Sequence, residues 1–197
     1  MRSVYDFIVR PIKTRYKNTV KIGDIDLVVN TKIENHLSVS KEAIVIATPL
    51  AYVTPIKPGD HVYVHHNVFR RFYDVKGKER NSRSYFKEDM YFCDPLQVYM
   101  YNLTSHLDYC FVLPIKNKSY LSTSNEQLQC GILKYGNNAL EAKKIYPETL
   151  VTFSPDSEFE FIINGERLYC MKSNNIVLTH ERKGNEEEYN PSWASSC

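Results

Sequence analysis

Glycine is scarce in this chain, at 7 of 197 residues, and no stretch approaches the roughly 20 apolar residues that cross a membrane. The first residues also lack the apolar run of a signal peptide, so the sequence predicts a soluble protein. Tyrosine and phenylalanine are plentiful, at 15 and 9 residues. Few glycines and many aromatic residues favour pleated strands over long helices. We therefore expect an all-β fold, and the length suits two domains of about 90–100 residues.

Motifs for catalysis and metal binding are also missing. The chain has no phosphate-binding glycine loop, no G-x-S-x-G nucleophile elbow and no H-E-x-x-H zinc motif. Three histidines, His61, His65 and His66, fall on a predicted strand, but adjacent strand residues face opposite ways and no cysteine or carboxylate cluster accompanies them. We therefore expect a binding protein without enzymatic activity, metal or cofactor.

The cysteines and the net charge restrict the compartment and the partners. The five cysteines show no C-x-x-C spacing and their number is odd, so neither a zinc knuckle nor a complete disulfide framework is indicated. This pattern favours a reducing cytosol over a secreted location. The formal net charge of +2 is too small to indicate a nucleic-acid or membrane partner by itself.

Four segments of the first half recur in the second half in the same order. Each is a short apolar run next to a turn, and most of these turns contain proline. The matched pairs are 7–12 with 110–115, 43–46 with 131–134, 57–64 with 146–153, and 91–100 with 169–178. A fixed order of four matches is hard to obtain by chance, so we expect two tandem copies of one small β-barrel unit.

The two copies are unequal. We expect the first over 1–104 and the second over 105–181, followed by a flexible C-terminal tail over 182–197 that has too little apolar surface to order itself. The first copy carries two extra stretches: a long loop over 14–40 and an insertion over 67–89.

Basic and aromatic residues interleave in the insertion. Grooves with this composition bind single-stranded nucleic acid, whereas a solvated hairpin or a contact between subunits is the simpler interpretation. Both interpretations assign contacts to the same residues: Phe69, Arg70, Arg71, Phe72, Arg80, Arg83 and Tyr85.

Several segments resemble the GroES-like co-chaperonins. In the second copy, the glycine-led strand over 130–137 is followed by the turn-led strand 146–153, which ends in Phe153, and by a closing strand near 175–178. The turn Lys57-Pro58-Gly59-Asp60 is similar to the Lys-x-Gly-Asp turn of that family. The resemblance covers roughly 4–181 and implies two tandem GroES-like barrels. The basic segments 65–72 and 80–86 resemble co-chaperonin-like proteins of marine bacteriophages.

In the family, a mobile loop after the first strand carries a Gly-Ile-Val-Leu-type segment that docks on the chaperonin. The matching place here is 23–29, although Asp26 departs from the family pattern. The resemblance therefore implies that Ile25, Leu27, Val28 and Val29 bind the chaperonin. The alternative is that this segment is an added strand in an extended arm.

The resemblance implies a function for the whole chain. We expect a homo-oligomeric ring that caps a GroEL-like chaperonin and assists folding of viral proteins, in the cytoplasm of an infected bacterial host. The family ring has seven members, so seven chains would place only their first copies at the chaperonin, or the ring has another symmetry. The alternative is a structural virion protein, a ring component or a capsid-decoration adaptor. A nucleic-acid-binding barrel comes third.

Overall fold

The computed structural model describes residues 2–16, 19–22, 25–28, 38–118 and 124–194. The chain divides into two compact units, Met1–Asn102 and Leu103–Cys197. The named strands pair antiparallel throughout, and the prediction of an all-β fold is confirmed. In the described ranges no helix is long and apolar enough to span a membrane.

The described part of the first unit is built from short strands. They are β1 (Phe7–Pro11), β2 (Thr19–Ile22), β3 (Ile25–Val28), β4 (Glu42–Ala47), β5 (His61–Val64), β6 (Arg71–Tyr73), β7 (Glu79–Asn81), β8 (Tyr85–Lys87), β9 (Met90–Cys93) and β10 (Val98–Tyr101). Six of them are hydrogen-bonded in the order β10-β5-β4-β1-β9-β8. The pairs β2–β3 and β6–β7 form separate two-stranded hairpins.

The second unit contains one short helix among its strands. Its elements are β11 (Thr104–Ser105), β12 (Tyr109–Lys116), β13 (Glu126–Tyr135), α1 (Asn138–Glu141), β14 (Leu150–Phe153), β15 (Phe159–Ile163), β16 (Glu166–Lys172) and β17 (Ile176–His180). The helix begins after Asn137, whose side chain accepts a hydrogen bond from the Leu140 N–H at 3.0 Å, as a helix N-cap does. The sheet order is β15-β16-β12-β13-β14-β17.

Six strands of the first unit follow the same order as the six strands of the second sheet. The first unit has the order β8-β9-β1-β4-β5-β10, and the matching strands of the second unit have the order β15-β16-β12-β13-β14-β17. A 3-10 turn separates the last two strands in each unit, Pro95–Gln97 in the first and Ser173–Asn175 in the second. The four sequence matches fall on the corresponding strands in every case.

Neither sheet closes into a barrel within the described ranges, so the predicted closed barrels are not confirmed. Closure needs hydrogen bonds between the two outermost strands of a sheet. In the first unit β8 pairs only with β9, and in the second unit β15 pairs only with β16 and β17 only with β14. Each sheet therefore keeps free edges.

Each unit has its own hydrophobic core, formed mainly by alternate residues of its sheet. The first core contains Phe7, Val9, Tyr16, Val39, Ala43, Val45, Ile56, Val62, Val64, Val68, Phe69, Tyr91, Cys93 and Val98. The second contains Cys110, Val112, Leu133, Leu140, Val151, Phe153 and Met171. In the first unit one cluster draws on β9 and β10, which lie toward opposite ends of the sheet. The sheet must therefore curve around its core.

Residues 182–194 belong to the segment predicted as a flexible tail, but the structure places them against the second unit. The Lys116 N–H donates to the Glu187 carbonyl and the Tyr189 N–H donates to the Pro114 carbonyl, both at 2.8 Å. Residues 187–189 thus pair with the end of β12, beyond the part that β16 covers. Backbone hydrogen bonds attach this segment despite its polar composition.

Candidate functional site at the base of the arm

The long loop of the first unit, here called the arm (17–38), begins and ends at one point of the core. Tyr16 and Val39 form an antiparallel bridge, and both side chains are buried. Next to them, the Ser40 N–H donates to the Arg15 carbonyl at 3.0 Å. The two ends of the arm are therefore fixed side by side.

The described part of the arm contains two short antiparallel strands. Thr19–Ile22 pairs with Ile25–Val28, with Ile22 opposite Ile25. The predicted chaperonin-binding residues Ile25, Leu27 and Val28 lie on the second of these strands, whereas Val29 lies outside the described residues. The backbone is a strand here, and the docking role stays a prediction.

Arg15 joins the base of the arm to the insertion. Its Nε donates to the Phe69 carbonyl, its Nη2 to the Arg70 carbonyl at 3.0 Å, and its Nη1 to Asn81 Oδ1 at 2.5 Å. Its guanidinium also lies over the ring of Tyr91, 5.1 Å from the centroid, in a cation–π arrangement. Burial lowers the pKa of Arg15, but an arginine stays charged at physiological pH.

Arg71 makes a second connection between the same parts. Its N–H donates to the Tyr16 hydroxyl at 2.6 Å, and its guanidinium lies 4.6 Å from the centroid of the Tyr16 ring. Its Nη1 also binds Glu79 at 2.6 Å. The arm and the insertion, which sequence analysis treats separately, therefore share one base.

The insertion contains the segment here called the basic hairpin (70–82), which includes β6 and β7. At its turn the Asp74 carboxylate accepts hydrogen bonds from the N–H groups of Lys76 and Lys78, both at 2.9 Å, and binds Arg80 at 3.0 Å. The N–H of Lys78 and the side chain of Arg80 hold the pKa of Asp74 below its usual value. Gly77 has a φ of 72°, which glycine adopts without strain.

The seven contact residues expected from the sequence take different positions. Phe69 is 0% exposed and packs edge-to-face on Tyr91 at 4.9 Å, so its predicted role in a surface contact is wrong. It follows a 3-10 turn that directs it into the core. The other six are at least partly exposed: Arg70, Arg71, Phe72, Arg80, Arg83 and Tyr85. Of these, Arg71 and Arg80 form ion pairs within the hairpin.

Sequence analysis did not identify Arg15, Tyr16 or Asn81 as parts of this site. Arg15 and Asn81 are 66 residues apart in the chain, and no local motif connects them. The turn at Asp74 does have a local signal, because an Asp followed three residues later by Gly is typical of a tight turn.

The three histidines form no metal site within the described ranges. His65 and His66 stack on each other at 4.2 Å, while His61 is 3.8 Å from Glu42. Burial lowers the pKa of His61 and of His65. Among the described residues no group of three or more His, Cys, Asp or Glu side chains is arranged to hold a metal ion.

The second unit contains a separate polar cluster around Arg167. This guanidinium binds Glu126 at 2.5 Å, Glu160 at 2.6 Å and the Tyr169 hydroxyl at 2.6 Å. Burial opposes its charge, but the hydrogen bonds that Arg167 donates to the two carboxylates outweigh that effect and raise the pKa of Arg167. A cleft of about 180 Å³ lies beside it, lined in part by Trp193. Because the charged groups already pair with one another, this cluster is better suited to stability than to ligand binding.

Among the described residues, the site at the base of the arm combines the ends of the arm with a braced basic hairpin in the first unit. Comparison with known proteins found no family model that matches this chain and no curated protein that is similar to it.

Proposed function

We propose that this chain is a co-chaperonin, built of two tandem GroES-like domains, that forms a ring and caps a chaperonin to assist folding of viral proteins. One observation carries the proposal: an arm leaves and re-enters the first unit at a single fixed point, the Tyr16–Val39 bridge. A segment held in this way can reach a partner without disturbing the core.

The asymmetry between the units supports a docking role for the arm. The connection between β1 and β4 spans residues 12–41, whereas the matching connection between β12 and β13 spans only 117–125. The common topology supports the interpretation of both units as copies of one domain. In this proposal the first copy binds the chaperonin, and the second copy is a structural scaffold.

The physical properties of such an arm suit a cap that must bind and leave. An extended segment that docks a few apolar side chains in a groove is a recurrent mode of peptide recognition. If the segment orders on binding, several kcal/mol of interaction energy are lost, and each contact stays weak. A ring presents several arms at once, so the total affinity exceeds that of one arm by orders of magnitude.

The free edges of the sheets support assembly into a ring. The edge strand β17 carries two exposed apolar residues, Val177 and Leu178. An unpaired strand edge with apolar side chains is a template for pairing with another chain. We therefore propose contacts between copies of this chain along such edges.

The decisive experiment removes the arm. Because Tyr16 and Val39 are bridge partners, a two-residue Asn-Gly turn can join them in place of residues 17–38. The shortened protein should keep the thermal melting of the parent and lose nucleotide-dependent co-elution with a purified bacterial chaperonin. Undiminished co-elution would show that the arm is not the docking element.

A second variant tests the apolar segment itself. Ile25, Leu27 and Val28 are changed to serine together, and the matched control changes Thr19 and Lys21, on the partner strand, to alanine. Only the first variant should weaken chaperonin binding. Recovery of the chain from purified virions in stoichiometric amounts, without chaperonin binding, would instead identify the alternative, a structural virion protein.

A further inference from the structure

The basic hairpin is an addition to the topology that the two units share. The segment between β5 and β8 spans residues 65–84, whereas the matching segment between β14 and β15 spans only 154–158. The strands β6 and β7 of the hairpin are not part of the sheet that contains β5 and β8. The hairpin is therefore available for a role that the second unit does not have.

The turn of this hairpin is held rigidly. Besides its carboxylate bonds to Lys76, Lys78 and Arg80, Asp74 donates its N–H to the Lys78 carbonyl at 2.9 Å and accepts from the Gly77 N–H at 2.8 Å. Across the stem, Arg71 binds Glu79. A tip held this tightly loses little conformational freedom when it binds.

The tip presents an exposed aliphatic side chain close in sequence to two lysines, Lys76 and Lys78. Val75 is 103% exposed, and Tyr73 in the preceding strand is half exposed. The ammonium groups of Lys76 and Lys78 form no ion pair with another residue in the described part of the chain. The basic hairpin (70–82) contains five basic and two acidic side chains, a difference of +3. The complementary surface is an apolar pocket surrounded by carboxylates.

We propose that the tip of the basic hairpin is a second docking element, which inserts Val75 into an acidic-rimmed apolar pocket on the same chaperonin ring that the arm binds. The inference rests on the proposed function. Arg15 and Arg71 fix the hairpin to the base of the arm, so both elements emerge from one point and can reach one partner. The hairpin is in place before binding, and it raises the effective concentration of the arm at its groove.

The chemistry of the tip favours a protein partner over a nucleic acid. Arginine recognises phosphate through its planar set of donors, but Arg71 and Arg80 are already paired with Glu79 and Asp74. The fully exposed hydrophobic side chain at the tip is Val75, which cannot stack on a base as an aromatic ring does. The two free lysines suit the rim of a protein pocket.

The test compares two valines of equal exposure in the same unit. Val75→Asp changes the tip, and Val53→Asp is the matched control, since Val53 is 98% exposed but lies outside the hairpin. Affinity for a purified bacterial chaperonin with nucleotide is measured for variants that keep the full arm. Val75→Asp should raise the dissociation constant about tenfold or more, as truncation of a binding anchor does. Its thermal melting should be unchanged. Val53→Asp should stay within about twofold of the wild type.

A second variant tests the charged rim and the competing partner. Lys76→Glu combined with Lys78→Glu should weaken chaperonin binding, more strongly at low salt than at high salt. If the wild type binds the chaperonin and Val75→Asp binds equally well, the tip is not a docking element although the proposed function stands. If the wild type does not bind at all, both proposals are overturned. Salt-sensitive binding of a single-stranded oligonucleotide that the lysine variant loses, with unchanged chaperonin affinity, would assign the hairpin to nucleic acid instead.

Discussion

Replacing Arg15 with alanine should detach the basic hairpin from the base of the arm. The guanidinium donates to three acceptors on the hairpin side and lies over the ring of Tyr91. Its removal leaves the carbonyls of Phe69 and Arg70 without these donors. Because Arg15 is about half-buried, we take about 1 kcal/mol for each hydrogen bond, which is below the range for fully buried charged groups. The ring contact adds roughly 0.5–1 kcal/mol.

The first unit of Arg15→Ala should therefore lose about 3.5–4 kcal/mol of unfolding free energy in urea. Hydrogen exchange should accelerate in the hairpin and at Ser40, whose N–H binds the Arg15 carbonyl. Arg15→Lys keeps the charge but cannot reach several acceptors at once, so it should recover less than half of the loss. Arg83→Ala is the control, because Arg83 is exposed and forms no ion pair with a described residue; it should change stability by less than about 0.5 kcal/mol. An Arg15→Ala protein with the stability of the wild type would refute this account of the site.

Three further predictions concern other parts of the chain. Gly131→Ala should lower the melting temperature by several degrees, because a Cβ at this position would meet the Leu113 carbonyl and lie 2.5 Å from a Val112 methyl group. Asp74→Asn should remove part of the acid sensitivity of the hairpin: the lowered pKa of Asp74 gives stability that is present at neutral pH and lost below about pH 4, which exchange measured across that range will detect. Deleting 182–197 should destabilise the second unit by about 2–3 kcal/mol in urea, since backbone hydrogen bonds to β12 disappear.

The repeated strands could be predicted from sequence because each is a local pattern. An apolar run next to a turn marks β1 and β12, and the same reasoning finds the pairs β4 with β13 and β5 with β14. Barrel closure is a different kind of property. It depends on whether two outermost strands, distant in the chain, come within hydrogen-bonding distance, and no local pattern encodes that.

The candidate site shows the same limit. The arm and the basic insertion are each visible in the sequence as departures from the repeat. Their common base is not visible in the sequence. It depends on Arg15, which donates to the backbone carbonyls of Phe69 and Arg70, and every residue has such a carbonyl whatever its side chain. The burial of Phe69 was missed because an aromatic residue between basic residues is also typical of a stacking surface.

The segment after β17 illustrates a third limit. Its composition is polar, which predicts a flexible tail. In the structure residues 187–189 are attached through the backbone, because the end of β12 at Pro114 and Lys116 offers a carbonyl and an N–H that β16 does not use. Free edges of this kind attract a strand regardless of its side chains.

The bridge between Tyr16 and Val39 also makes the length of the arm largely independent of the core. The two ends of the arm are held together by this bridge. The entropic cost of closing the loop therefore grows slowly with loop length, by about 0.6 kcal/mol for each doubling. Segments of other lengths and sequences can therefore replace residues 17–38 at little thermodynamic cost. The same junction is a suitable place to insert a fluorescent domain or an affinity tag, and it would let the specificity of the chain change while its sheet stays the same.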